Sequence, residues 1–95
     1  MIEVVIKWSY GTSEAAKDRI RESETFLFDT QPKREEVLKV LTEYWQLQLE
    51  CFDERRRVIP KIDQILKRKV GPLEPTNFSP IEIETLCNSD NTHGQ

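Results

Sequence analysis

The densest charge in the chain is Arg55-Arg56-Arg57, followed by Lys61 and by Lys67-Arg68-Lys69. Residues 55–70 hold seven basic side chains and one acidic one. Such a line can track phosphates or meet an acidic protein surface. Its plainest role is a solvated helix end whose cations suit the helix dipole, or a patch neutralised by the acidic segment that follows. The net charge of −3 and a pI near 5.2 speak against a dedicated nucleic-acid binder. No aromatic residue interleaves with the basic ones, so the stacking platform of single-strand binders is missing.

Catalytic chemistry finds little to stand on. The single histidine, His93, lies near the end of the chain, where no Ser–His–acid or Cys–His device can hold a base. Most carboxylates fall on one polar helical face and read as solvated. Three glycines far apart make no phosphate-cradling loop. A helix start at Gly11-Thr12-Ser13 is too common a feature to define an anion site. Cys51 and Cys87 form neither a disulfide framework nor a metal spacing. Cys51 lies among apolar residues and is expected to be buried. The expectation is no enzyme, cofactor, metal or small-molecule substrate.

The elements that must position these residues are dominated by Gln31–Val70. With about 100° per residue, Leu47, Val40, Cys51, Tyr44, Val37, Leu41, Phe52, Trp45, Leu38 and Leu49 share one arc. Glu36, Lys39, Glu43, Gln46, Glu50, Asp53 and Glu54 fall opposite, which describes an amphipathic helix. Thr30 is a suitable N-cap, Pro32 suits the first turn, and Glu35 and Glu36 favour the positive end of the dipole. Beyond Pro60, the residues Val58, Ile59, Ile62, Ile65, Leu66 and Val70 return to the same arc. The periodicity therefore predicts one helix kinked at Pro60 rather than two, stopped by Gly71-Pro72. Forty helical residues would reach roughly 60 Å, against a radius of gyration of about 12–13 Å for a domain of this size. Either the chain folds back at Pro60, or a second copy or a partner covers the stripe. Arg55 falls within the apolar arc. Its stem can pack while its head snorkels out, or it pairs with a carboxylate from another element.

The remaining segments read as dependants. Ile2, Val4, Ile6 and Trp8 alternate with Glu3, Val5 and Lys7, the pattern of a half-buried strand. A short helix is expected over Glu14–Glu22 and a second strand over Thr25–Phe28. Trp8, Trp45, Tyr44 and Phe52 are expected in the core. Residues 71–80 are proline-rich, and Ile81–Thr85 alternates apolar and acidic residues as a strand would. Ser79-Pro80 is a potential phosphorylation site, and Pro72-Leu73-Glu74-Pro75 a bare PxxP.

The resulting expectation is an α+β fold, with a short two-stranded N-terminal sheet, one short helix and one long helix kinked at Pro60. The alternative is a mostly all-α helical hairpin or bundle. Residues 1–70 form the expected domain and residues 71–95 a largely flexible acidic tail. The expected function is a cytoplasmic protein–protein interaction or regulatory adaptor module, self-associating or docked to a protein partner. Its apolar stripe would be Tyr44, Trp45, Phe52, Ile62 and Leu66, and its basic patch Arg55, Arg56, Arg57, Lys61, Lys67, Arg68 and Lys69. Accessory nucleic-acid binding through residues 55–69 is the alternative. No membrane association is expected.

Overall fold

Alternation in the first strand sets the architecture. In the computed structural model, which describes residues 1–13, 16–52 and 58–93, β1 (Ile2–Gly11) lies inside a four-stranded sheet. Its neighbours are β2 (Ile20–Phe28) and β3 (Ile59–Arg68), and β3 carries the two-residue β4 (Glu74–Pro75) outside it. The order is β2-β1-β3-β4, and every neighbouring pair is antiparallel. A 3₁₀ turn at Ala16–Asp18 precedes β2, α1 (Arg34–Cys51) joins β2 to β3, and α2 (Pro80–His93) follows β4. Because β2 and β3 both oppose β1, they run in the same direction with β1 between them. The β2–α1–β3 segment is thus a split βαβ unit.

The expected long helix kinked at Pro60, with a two-stranded sheet, is overturned, and so is the all-α alternative. The helix stops at Cys51. Pro60 is the second residue of β3, opposite Tyr10. Proline is tolerated near a strand start, and β4 reaches β3 only at Leu66 and Lys67. The misleading periodicity has a physical source. β1 and β3 shift register between Lys7 and Trp8, where Ile62 opposes Trp8, Gln64 opposes Lys7 and Asp63 is the extra residue. This bulge turns Ile62 and Ile65 to the same side, a spacing of three that imitates a helix.

Ile2, Val4, Ile6 and Trp8 do share one face, and the helices cover it. Val37, Leu41 and Trp45, one turn apart on α1, meet Val4, Ile6, Trp8, Ile62 and Ile65 in the core. Ile83 and Cys87 of α2 belong to the same cluster and are fully buried. Trp8 packs edge-on against Trp45 and Phe52, and its indole N–H donates to the Tyr44 hydroxyl at 3.0 Å. Cys51, expected inside, is exposed at the end of α1.

Both helix starts differ from the sequence reading. α1 begins at Arg34 after Lys33, not after Thr30, and the Lys33 backbone N–H donates to Glu36 Oε1. Ile81–Thr85, expected as a strand, lies in α2. Ser79 caps that helix, accepting from the Ile81 N–H at 3.2 Å, and Pro80 occupies the first turn. The short helix expected over Glu14–Glu22 is replaced, from Ile20 on, by β2. Gly71, at φ +86°, makes the turn out of β3, a conformation that favours glycine.

Candidate functional site

Both helices lie on one side of the sheet, so the other face is open. Residues directly opposite across an antiparallel pair point to the same side. The open face therefore reads in rows across β2, β1 and β3: Leu27, Glu3 and Arg68; Thr25, Val5 and Leu66; Ser23, Lys7 and Gln64; Arg21, Ser9 and Lys61. Val5 and Leu66 are buried even here, under the longer side chains around them. Arg68 and Glu3 form a two-pronged ion pair, with Nε to Oε2 at 2.9 Å. The hydrogen bond from Arg68 holds the Glu3 carboxyl below the usual carboxylate range.

At the far end of the same face the charge is unbalanced. Among the described residues, no ion pair engages Lys7, Arg21 or Lys61. Arg21 and Lys61 flank Ser9 two strand spacings apart, about 10 Å between backbones. Lys7 stands two residues further along β1. A depression of about 410 Å³ is lined by Lys7, Trp8, Arg21, Glu22, Ser23, Asp63 and Gln64. It adjoins a hollow of about 50 Å³ lined by Ser9, Arg19, Arg21, Lys61 and Asp63.

Arg19 forms the base of this end. It is only 8% exposed. Its Nε donates to Ser9 Oγ at 2.9 Å, and its Nη1 to the Ser13 carbonyl at 2.6 Å. Its Nη2 donates to the carbonyls of Ser9 and Ile59. The guanidinium thus pins the starts of β2 and β3 to β1. All four acceptors are neutral, so among the described residues no carboxylate offsets its charge. Gly11 makes room for it: a Cβ there would come within 3.1 Å of the Asp18 carbonyl and 3.2 Å of Arg19 Cγ.

The other side of the molecule is acidic. α1 carries Glu35, Glu36, Glu43 and Glu50 against Arg34 and Lys39. Glu22 and Glu24 of β2 point to the helix side, opposite Trp8 and Ile6. Glu82 of α2 holds Arg34 in a bidentate pair at 2.8 and 3.1 Å, and Arg34 also stacks over Phe78 at 4.7 Å.

The residues singled out in the sequence are dispersed. Arg55, Arg56 and Arg57 lie outside the described residues. Lys61 and Arg68 stand on the open face, whereas Lys67 turns to the helix side beside Ile2 and Phe78. Lys69 follows the end of β3. Of the apolar set, Trp45 and Ile62 are in the core, Leu66 is buried beneath the open face, and Tyr44 and Phe52 are partly buried against the core. The stripe on α1 is covered by the chain's own sheet. Lys7 was legible on the polar side of the first strand. Arg19 and Arg21 were not, because a helical reading of Glu14–Glu22 separates them from β1.

Among the described residues, no group of three or more His, Cys, Asp or Glu side chains is placed to hold a metal ion. Among them, too, no helix is long and apolar enough to cross a membrane. Comparison with protein-family models, with curated proteins and with solved structures finds no match.

Proposed function

We propose that the protein is a non-enzymatic binding module whose open sheet face contacts the phosphate backbone of a nucleic acid. The carrying observation is that Lys7, Arg21 and Lys61, without an ion-pair partner among the described residues, stand with the single carboxylate of Asp63 on one face above the buried Arg19, while the acidic residues of the helices lie on the other side. Segregation of this kind lets a chain of net negative charge present a cationic surface. The face displays hydroxyl, amide and cationic groups together with two carboxylates, Glu3, which Arg68 pairs, and Asp63, and its rows across β2, β1 and β3 hold no aromatic ring. That chemistry suits phosphate contacts, not base stacking or base-edge reading. Binding should therefore depend weakly on sequence and strongly on salt.

The test is fluorescence anisotropy of a labelled duplex titrated with the protein. For three phosphate contacts, raising monovalent salt from about 50 to about 200 mM should weaken binding by about 40-fold. The triple variant Lys7→Glu, Arg21→Glu, Lys61→Glu should abolish binding while leaving the unfolding midpoint close to wild type. Binding unaffected by the triple variant would refute the proposal.

A protein partner is the second reading. It no longer draws on an uncovered helix stripe. Its support is the outer edge of β2, a nine-residue strand paired on one side to β1, which can accept an added strand. Backbone pairing of that kind would persist in high salt, which separates the two readings.

A further inference from the structure

On the helix side, β2 extends past α1 and leaves a cleft of about 430 Å³. Tyr10 and Phe52, both half-buried, form its floor, with Trp8, only 5% exposed, packed against them. Their rings are mutually packed, with centroids 5.8 Å apart for Trp8 and Tyr10, 5.9 Å for Trp8 and Phe52, and 5.0 Å for Tyr10 and Phe52. Tyr44 supplies the α1 wall, and Glu22 and Glu24 stand along the β2 rim. This places four aromatic rings and two carboxylates around one solvent-filled space.

Every fixed charge and dipole among the described residues that line the cleft has the same sign. Among the described residues neither the Glu22 nor the Glu24 carboxylate has an ion-pair or hydrogen-bond partner. The last turn of α1, which borders the cleft at Cys51, contains no basic residue, so its carbonyl end adds negative potential. Burial pushes the Tyr44 phenol above its ordinary value; the Trp8 hydrogen bond opposes this, and the charges of Glu24 and Glu22 add to the rise. The two carboxylates thus act on the same hydroxyl that the Trp8 indole meets.

Carboxylates alone would attract any cation. The rings make the difference: their faces favour a large, weakly hydrated cation that presents carbon to them. A small metal ion would have to surrender its water to aromatic carbon, which offers no ligand atoms. We propose that this cleft binds an alkylated ammonium group, with its methyl or methylene carbons on the half-buried rings of Tyr10, Phe52 and Tyr44 and its charge toward Glu22 and Glu24. The cleft lies across the sheet from Lys7, Arg21 and Lys61, and Trp8 and Glu22 border both it and the open-face depression.

The experiment is an NMR titration of the full chain with choline and with 3,3-dimethyl-1-butanol, its uncharged carbon isostere. A trimethylated-lysine peptide and its unmodified counterpart form a second pair. Choline or the methylated peptide should saturate, shift the Trp8 indole N–H and the amides of Glu22 and Glu24, and bind at least about tenfold more tightly than its uncharged or unmethylated control. The stronger of the two identifies a free quaternary ammonium compound or a modified side chain as the source. Glu22→Gln with Glu24→Gln should weaken binding by about tenfold while leaving the Trp45 indole resonance in place, which reports an intact core. Equal binding of choline and its isostere, or saturation by neither charged probe, would overturn the proposal.

Discussion

Arg19 shows how much one side chain can organise. A guanidinium that far out of water must be compensated, and its four hydrogen bonds run to Ser9, Ser13 and Ile59. Arg19→Ala would leave two strand starts untied and the Ser9 hydroxyl and the carbonyls of Ser9, Ser13 and Ile59 short of a donor. It should lower the free energy of unfolding in urea by about 3 kcal/mol, whereas Arg21→Ala, at an exposed position, should stay within about 0.5 kcal/mol. Gly11→Ala should also destabilise the fold, because its new methyl group meets backbone at Asp18. Two neighbours on α2 give opposite pH responses. Glu82 is held below the usual carboxylate range, first by its hydrogen bond from Arg34, so its contribution is present at neutral pH and is lost as pH falls through its depressed folded value. Glu84 is raised by burial, so its ionised form is a cost at neutral pH that disappears in acid. In thermal melts, Glu82→Gln should be less stable than wild type at pH 7 and Glu84→Gln more stable. Both differences should shrink toward zero once the carboxyls of the wild type are protonated.

At the scale of elements, β3 is where sequence and structure part, and the reason is the bulge at Asp63. A regular strand would have shown alternation; the extra residue replaces it with Ile62 and Ile65 on one side, which no helical wheel distinguishes from a helix face. The two readings differ in which apolar residues they bury. A helix would hide Val58, Ile59, Ile62, Ile65, Leu66 and Val70 together, but in β3 and just beyond it Ile59 is 46% exposed and Val70 87% exposed. Ile62→Ala and Ile65→Ala should each cost about 2–4 kcal/mol, and Ile59→Ala and Val70→Ala less than about 1 kcal/mol. Equal costs at all four positions would contradict the strand. Other elements were legible in part. β1 showed its alternation because one of its faces is wholly apolar. The body of α1 showed its period through Val37, Leu41 and Trp45. β2 carried no signal at Arg21–Glu24 because neither face is covered there, so its residues need not alternate in polarity. Ser79-Pro80 was a readable helix start, a cap followed by a first-turn proline, but five residues of apolar–acidic alternation after it imitate a strand equally well.

At the scale of the whole molecule, the sheet acts as a divider. It sets a helix layer rich in carboxylates on one side and a helix-free face carrying Lys7, Arg21 and Lys61 on the other, within an envelope 41 × 36 × 18 Å across. The linear cluster at residues 55–70 does not map onto one surface: Arg55, Arg56 and Arg57 lie outside the described residues, and the rest are divided. Strand pleating sends Lys61 and Arg68 to one face and Lys67 to the other, and the cationic patch is completed by Lys7 and Arg21 from distant parts of the chain. The candidate site was therefore only partly readable before the strands were paired. The measurement that tests this account most directly is a ¹H–¹⁵N correlation titration of the protein with a short duplex at low salt. The account predicts shifts confined to the amides of Lys7, Ser9, Arg21, Ser23, Lys61 and Gln64, which fade as salt is added. Shifts on the exposed faces of α1 and α2, or none at all at low salt, would contradict it.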